Sequence, residues 1–473
     1  MAKLLGIDIG TTSVSAVLYD CADHEILANA SEDHGAYVHG KSAGHREQDP
    51  QRILSCIDQV LRALELKTAR LSPEGICVTG QVHGFLLVSA DGVPCNNFFT
   101  WEDLRSLEPS PSGSPWIDEV LNLYKSVTPI DERTTVGPGY AAANLFVLSR
   151  KGMLPDADYC ICSIQDFVII NLTGAAGTDA VTDQSCAHST GLYLPVQKVW
   201  NKELLAAINI SPHQMPIVKD SGSYCGVTVP RPNLPGGIPV YTGLGDNQAA
   251  FLASVQEPAE TVLVNVGTGS QVSVWVPAFA AVQGIDTRPY LDGAHLLVGA
   301  PLCGGRAFSQ IKDFIGRIGT EIFGRNPTAD ELYEKLVRTV RYDTDLVCRT
   351  TFAGTRTNPD ERGLLANISN DNLTVGDLTA SVLHGIAREL HELFRLTGAQ
   401  CRRLVGTGNA VRKNPVLRRC IADRFRMDLA VPPYEEVAAL GAALVAGVGC
   451  GAFESFHDAA GETAGLVNCR KGK

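Results

Sequence analysis

Two short turns rich in glycine and threonine stand at matching points of two apolar segments. Gly10, Thr11, Thr12 and Ser13 follow an apolar run that contains Asp8, and a second turn at residues 267–270 follows another apolar run. A turn of this composition directs backbone N–H groups and small hydroxyls towards one spot, which suits a phosphate chain. Two copies in one chain indicate a duplicated nucleotide-binding fold that holds a phosphate between its halves. Phosphoryl transfer is therefore the first hypothesis.

Two aspartates accompany these turns. Asp8 would repel a phosphate unless a magnesium ion lay between them, because Mg²⁺ prefers both carboxylate and phosphate oxygens. Asp246 follows the glycines of the segment Gly243-Leu-Gly245. It could simply cap a helix, or it could act as a general base towards an attacking hydroxyl. Its place at a predicted domain boundary favours the base, since substrates bind in clefts between domains.

Other polar groups are suited to a sugar and to a nucleoside. Gln81 and His83 lie in a glycine-flanked turn and offer directional hydrogen bonds to a polyol, although a lone histidine is more often structural. The segment 101–105 supplies an aromatic face, carboxylates and a guanidinium, although it could also be the start of an amphipathic helix. The glycine-rich turn at residues 406–409 could approach an adenosine closely, or be a plain left-handed turn.

The elements that would position these groups alternate between strands and helices, which indicates an α/β fold. Strands are predicted at residues 4–8, 13–19 and 25–30, and the second half repeats that order around residues 266 and 271. A long amphipathic helix is predicted over 375–396, followed by a strand at 403–405. We expect a first domain over 1–243, a second over 244–450, and a poorly ordered tail over 451–473.

Bulk properties restrict the function classes. The 473 residues exceed what one hydrophobic core serves, so two domains are expected. The net charge of −11, with no basic cluster, argues against nucleic acid as a partner. The apolar segment 437–451 is too short to span a bilayer, so no membrane association is expected. Fourteen scattered cysteines are typical of a reducing compartment, and a cytoplasmic location is expected.

The motifs occur in the order seen in the FGGY carbohydrate kinases, which the chain resembles over residues 3–449. That resemblance implies two ribonuclease-H-like domains of the actin and hexokinase type with a cleft between them, and ATP and Mg²⁺ as cofactors. Asp246 would be the catalytic base, and Asp8 and Asp246 would place the metal. The sugar would contact Gln81, His83, Trp101, Asp103, Asp246 and Asn247; the nucleotide would contact Gly10, Thr11, Thr12, Ser13, Gly267, Thr268, Gly269, Gly406, Gly408, Asn409 and Asn414.

The implied reaction moves the ATP γ-phosphoryl group to the terminal hydroxyl of a small-molecule ketose. Segments 136–151 and 297–315 resemble members that act on a seven-carbon ketose, which favours sedoheptulose as the substrate and its 7-phosphate as the product. A pentulose kinase acting on xylulose or ribulose is the alternative, and a non-catalytic ATP- or sugar-binding protein is another. Cys303 departs from the family, whose members often have asparagine there.

Overall fold

Two six-stranded sheets form the framework of the computed structural model, which describes residues 2–68, 71–267, 269–355 and 360–469. In the first half the strands are β1 (Lys3–Ile9), β2 (Ser13–Asp20), β3 (Glu25–Asp33), β4 (Glu47–Gln48), β5 (Gly75–Gly80), β6 (Leu86–Ser89), β7 (Phe98–Phe99), β8 (Tyr159–Cys162), β9 (Val181–Asp183), β10 (Tyr193–Leu194), β11 (Val199–Trp200), β12 (Ile217–Lys219), β13 (Tyr224–Val227) and β14 (Pro239–Gly245). The helices there are α1 (Pro50–Thr68), α2 (Trp116–Val127), α3 (Ala141–Arg150), α4 (Ile164–Thr173), α5 (Gln184–Ser189), α6 (Lys202–Ala207) and α7 (Asp246–Ser254).

The second half has fewer strands and longer helices. Its strands are β15 (Thr261–Val266), β16 (Ser270–Val276), β17 (Asp286–Pro289), β18 (His295–Gly299), β19 (Val347–Arg349), β20 (Leu364–Ala366), β21 (Arg403–Thr407) and β22 (Leu429–Ala430). Its helices are α8 (Gly304–Phe323), α9 (Ala329–Thr339), α10 (Val375–Leu396), α11 (Asn409–Lys413), α12 (Pro415–Phe425), α13 (Val437–Gly449) and α14 (Phe456–Cys469). The predicted helix over 375–396 is confirmed residue for residue.

The two main sheets repeat one topology. The first runs β13-β14-β5-β1-β2-β3 and the second runs β17-β18-β16-β15-β21-β22. In the first sheet, the antiparallel strands β3, β2 and β1 are followed by β5 and β14, which run parallel to β1. In the second sheet, the antiparallel strands β18, β16 and β15 are followed by β21 and β22, which run parallel to β15. The predicted duplication is therefore present in the order of the strands, and the two Gly-Thr turns are the equivalent β1–β2 and β15–β16 connections.

Helix α13 joins the two halves. It lies late in the sequence, yet it packs on β1, β2 and β5 of the first sheet and crosses α7. The crossing is close because a Cβ on Gly6 would lie 1.8 Å from the Ala439 carbonyl oxygen, and one on Gly441 would lie 1.9 Å from that of Ala249. An alanine- and glycine-rich helix allows this backbone approach, so its apolarity reflects burial on all sides. Among the described residues, no helix has the length and apolarity needed to cross a bilayer.

The described part of the chain beyond Gly451 differs from the prediction of a poorly ordered tail, while residues 470–473 of that prediction lie outside the described residues. Residues 456–469 form helix α14, which packs against α13 and α7. Ala459 and Ala460 are buried in this contact, and the Tyr19 hydroxyl donates a hydrogen bond to Glu462. The segment lacks a strong amphipathic period because it covers the helix pair with small side chains, so the sequence pattern gave no sign of it.

Candidate active site

A cleft of about 630 Å³ lies between the two sheets and brings together residues from both halves of the chain. Thr11, Thr12, Gln81, His83, Trp101, Asp246, Gly267 and Gly269 all line it, as the sequence predicted for one shared site. Glu102, from the predicted segment 101–105, also lines the cleft, together with side chains that the sequence did not single out, which are Tyr37, Arg46, Gln271, Arg288 and Arg306. Three of these additions are arginines, so this is a cleft suited to an anionic ligand.

The first Gly-Thr turn connects β1 to β2 and points into the cleft. The backbone N–H of Gly10 donates to the Ser13 carbonyl at 2.9 Å, which closes the turn. Gln48 and Gln81 hold it from below, because their amide nitrogens donate to the carbonyls of Thr11 at 2.7 Å and of Gly10 at 3.3 Å. The turn is therefore fixed in place before any ligand arrives, with Thr11 and Thr12 towards the cleft.

The second turn is built from glycines that leave space. The Gly267 N–H donates to the Gly269 carbonyl at 2.9 Å, and a Cβ on either residue would meet no atom within 4 Å. The same turn is supported closely on its other side, where the Gly305 N–H donates to the Gly267 carbonyl at 3.2 Å. Space above a well-supported backbone is what a phosphate group requires. Thr268, predicted to contact ATP, lies outside the described residues.

Asp246 is the first residue of α7, directly after strand β14. Gly245 occupies the helix N-cap position without a side-chain bond, so Asp246 is not the cap that the sequence left as an alternative. The Asp246 carboxylate accepts a hydrogen bond from the Asn247 backbone N–H at 2.7 Å. Burial raises the pKa of Asp246, and the charge of Arg288 opposes that rise. A carboxylate that is partly buried and lines a cleft can accept a proton from a bound hydroxyl.

Asp8 lies near the end of β1 and interacts electrostatically with Asp246. Burial raises its pKa well above the usual range, and the neighbouring charge of Asp246 raises it further. Its Oδ1 atom is buried without a hydrogen-bond partner among the described residues. Two neighbouring carboxylates, one with an orphaned oxygen, fit a cation of the Mg²⁺ class. The described residues contain no cluster of three or more protein ligands, so phosphate oxygens and water would complete the coordination.

The predicted sugar-binding side chains form the wall opposite the second turn. His83 Nδ1 donates to the Ser189 carbonyl at 2.9 Å, because a carbonyl can only accept, and the ring lies against Tyr140 with centroids 4.1 Å apart. The Trp101 indole N–H donates to the Thr11 hydroxyl at 3.1 Å. This bond connects the aromatic wall directly to the first phosphate-binding turn.

Two predicted sugar ligands have other partners. Asp103 is fully buried, and its carboxylate accepts bonds from Arg105 at 2.7 and 2.9 Å and from the Arg46 backbone at 2.8 Å. It does not line the cleft, and it fixes the loop that presents Trp101. Asn247 is buried and donates to Gln271 at 2.9 Å and Ser273 at 3.0 Å, so it ties α7 to β16. The family resemblance implied sugar contacts for both residues, but both are buried and bonded to other parts of the protein.

The predicted adenosine-binding residues lie behind the second turn and do not line the cleft. A Cβ on Gly408 would lie 2.4 Å from Asn265 Oδ1, so this glycine allows the late turn to reach β15. Gly406 lies on β21, which pairs with β15, and Asn409 is exposed at the start of α11. Asn414 is buried and caps α12 by accepting from Val416 and Leu417 N–H groups at 3.0 Å. Its side chain therefore has a structural role that the prediction did not include.

Comparison with known proteins agrees with this arrangement. The N-terminal domain of the FGGY family of carbohydrate kinases matches residues 3–253, and the C-terminal domain matches residues 262–450. The chain belongs to the FGGY family. Its two-domain architecture is accordingly the actin- and hexokinase-like fold of these kinases, as the strand order indicates.

Relatives in the family act on several sugars. The chain is 28% identical to a sedoheptulokinase of Mus musculus and 27% identical to that of Homo sapiens, in each case over 93% of this chain and 96% of the relative. It is 24% identical to a xylulose kinase of Lactococcus lactis over 97% of this chain and 90% of the relative. In fold it resembles the crystal structure of xylulose kinase from Rhodospirillum rubrum, with a TM-score of 0.80, 23% identity, and coverage of 97% and 92%.

The cleft residues of this FGGY protein that the sequence analysis missed share one feature. Arg288 and Gln271 come from strands β17 and β16, whose own patterns have no motif, and they reach the cleft only because the two halves face each other. One local signal was available for Arg306, since it directly follows Gly304 and Gly305 beside the second turn. Cys303, where the family resemblance led us to expect asparagine, is buried and makes no side-chain cap of α8.

Proposed function

We propose that this FGGY kinase transfers the γ-phosphoryl group of ATP to the terminal hydroxyl of a ketose, and that sedoheptulose is its substrate. The observation that supports the transfer is the shared cleft, which Asp246 lines together with residues of both glycine turns and with Gln81, His83 and Trp101. The identity with the two sedoheptulokinases, slightly above that with the xylulose kinases, supports the seven-carbon sugar.

In the proposed reaction the Asp246 carboxylate accepts the proton of the substrate hydroxyl. The resulting oxygen forms a bond to the γ-phosphorus while the bond from that phosphorus to the bridging oxygen of ADP breaks. Backbone N–H groups of the two turns, with the guanidinium groups of Arg46 and Arg306 in the cleft, stabilise the negative charge on the transferred group. Asp8 and Asp246 would hold Mg²⁺, which when bound would neutralise phosphate charge.

The wall residues orient the sugar. Histidine, glutamine and tryptophan side chains supply hydrogen bonds and an apolar face, so a polyol can be held with one end at Asp246. Orientation of this kind supplies a large part of the acceleration in such transfers. Closure of the two domains over the bound sugar would also exclude water, which otherwise competes as the phosphoryl acceptor.

The test is ADP formation measured with a panel of sedoheptulose, xylulose, ribulose, gluconate and glycerol. The highest kcat/KM is expected with sedoheptulose. A higher value with a pentulose would replace the substrate assignment by the pentulose kinase alternative. Sugar binding without sugar-dependent ADP formation would indicate the non-catalytic alternative.

The role of Asp246 is tested in the same assay with Asp246→Asn. Turnover is expected to fall by roughly 10²- to 10⁴-fold, the usual contribution of a general base, while the protein still folds. Asp292→Asn is the matched control, since Asp292 also has a pKa raised by burial but lies outside the cleft. Its left-handed backbone, with φ of 55°, accepts asparagine readily. Near-normal turnover of Asp246→Asn would refute the base assignment.

A further inference from the structure

Arg288 is a buried arginine on the wall of the cleft. It lies on β17, is 4% exposed, and its Nε donates to Asp286 Oδ2 at 2.7 Å. Its side chain lines the same cleft as Asp246 and Gln271. An arginine seldom becomes this buried unless its donors are used, because the desolvation of a charged group is costly.

The guanidinium uses only part of its hydrogen-bonding capacity. Its Nη1 atom is buried without a partner, and the described residues provide a bond only to Nε. Asp286 is itself held by the Thr134 hydroxyl, which donates to Oδ1 at 3.2 Å. Because Thr134 belongs to the first half of the chain and Asp286 to the second, the guanidinium is anchored where the two halves meet. The anchor fixes its position and leaves N–H groups for another acceptor.

The surroundings of Arg288 belong to the sugar wall. A small cavity of about 10 Å³ is lined by Arg288 together with His83, His188 and Ser189. The charge of Arg288 also acts on Asp246, where it opposes the rise in pKa that burial produces. Arg288 therefore shares the cleft with both the predicted sugar ligand His83 and the predicted base.

We propose that Arg288 is a further substrate-binding residue, whose guanidinium donates a hydrogen bond to a ketose oxygen close to the hydroxyl that is phosphorylated. This proposal rests on the function proposed above. An arginine has only donors, so the substrate atom must be an acceptor, such as a carbonyl or hydroxyl oxygen. The bond would satisfy the buried donor, and it would couple sugar binding to the contact between the two halves through Asp286 and Thr134.

The test compares Arg288→Gln and Arg288→Lys with the wild-type enzyme. For Arg288→Gln, kcat/KM for the ketose is expected to fall roughly 10- to 100-fold, the effect of losing a charged hydrogen bond, while KM for ATP stays near the wild-type value. Arg288→Lys should recover part of the loss because it retains a charged donor. Arg231→Gln is the matched control: Arg231 forms a partly buried pair with Asp58 outside the cleft, and its removal should leave both constants unchanged.

Ketose binding measured by calorimetry without ATP gives a readout independent of turnover. A folded Arg288→Gln variant that binds ketose as tightly as the wild type overturns the proposal. If this variant does not fold, the double variant Asp286→Asn with Arg288→Gln, which removes both charges of the pair, takes its place under the same criteria. Absence of ketose-dependent ADP formation by the wild type would instead refute the proposed function, and calorimetry would still test whether Arg288 binds the sugar.

Discussion

Arg306 Nη2 lies 3.5 Å from Glu102 Oε1, so an ion pair connects the two walls of the cleft. Arg306 belongs to α8, next to the second glycine turn, and Glu102 follows Trp101 on the sugar wall. The Tyr37 hydroxyl donates to the other Glu102 oxygen at 2.6 Å, which orients the carboxylate. The contact is partly open to solvent, since the Arg306 side chain is 45% exposed.

This ion pair is expected to stabilise the fold only slightly. Exposed pairs contribute about 0.2–1 kcal/mol because water and salt screen the attraction. A double-mutant cycle with Glu102→Gln and Arg306→Gln, measured by urea unfolding, should therefore give a coupling energy below about 1 kcal/mol. A coupling of several kcal/mol would show that the contact holds the domains together.

The glycines of the second turn should separate binding from stability. Gly267→Ala places its Cβ in open space, so the melting temperature should stay close to that of the wild type while KM for ATP rises sharply, because the methyl group occupies the predicted phosphate position. Gly305→Ala is the contrasting variant: its Cβ would lie 2.2 Å from the Gly267 carbonyl oxygen, and the protein should be destabilised. Thermal unfolding and ATP kinetics measure both. An unchanged KM for ATP in Gly267→Ala would contradict phosphate binding at this turn.

Burial of the Asp8 carboxylate should lower the stability of the protein in a way that depends on pH. Its pKa is raised in the folded protein, by burial and then by Asp246, so the folded state holds its proton more tightly than the unfolded state. Below the pKa of Asp8 in the unfolded state, its burial therefore does not lower the free energy of unfolding. The folded protein loses stability as the pH rises through the pKa of Asp8 in the folded state. Asp8→Asn should raise the melting temperature relative to the wild type at pH 8, with a difference that vanishes towards pH 4.

Asp377 is the control for the direction of this pH dependence, because its pKa is shifted in the opposite sense. The hydrogen bond from Thr374 is the main cause that lowers the pKa of Asp377, so its ionised form stabilises the fold above the unfolded pKa and this stability is lost as pH falls. Asp377→Asn should accordingly lower the melting temperature at pH 8. A rise in both variants, or in neither, would show that the burial of Asp8 is not responsible.

The bond from Trp101 to Thr11 should couple the sugar wall to the phosphate turn. Trp101→Phe keeps an aromatic face but loses the donor, so KM should rise for both ketose and ATP. Trp200→Phe is the control, because the Trp200 indole N–H donates to the Pro216 carbonyl at 3.0 Å outside the cleft. Steady-state kinetics with each substrate varied in turn measure the effect. A change in KM for the ketose alone would show that loss of this bond does not affect ATP binding at the turn.

Much of the fold was predictable because its signals are local. Apolar runs on either side of a turn rich in glycine and threonine predicted the two hairpins, and helical spacing predicted α10 with its bounds. Helix α14 was not predictable in this way, because its small buried residues match the surface of α7 and α13, and that surface exists only after the chain has folded.

The sequence by itself determined the two glycine turns, the aspartates beside them and the family to which they point, because these depend on residue types over short spans. Only the tertiary structure decided which polar groups share the cleft. It buried Asp103 under Arg105, placed α13 on the opposite sheet, and brought Arg288 to the same wall as His83. These relationships join residues far apart in the chain, and they follow from how two sheets face each other, which no local pattern encodes.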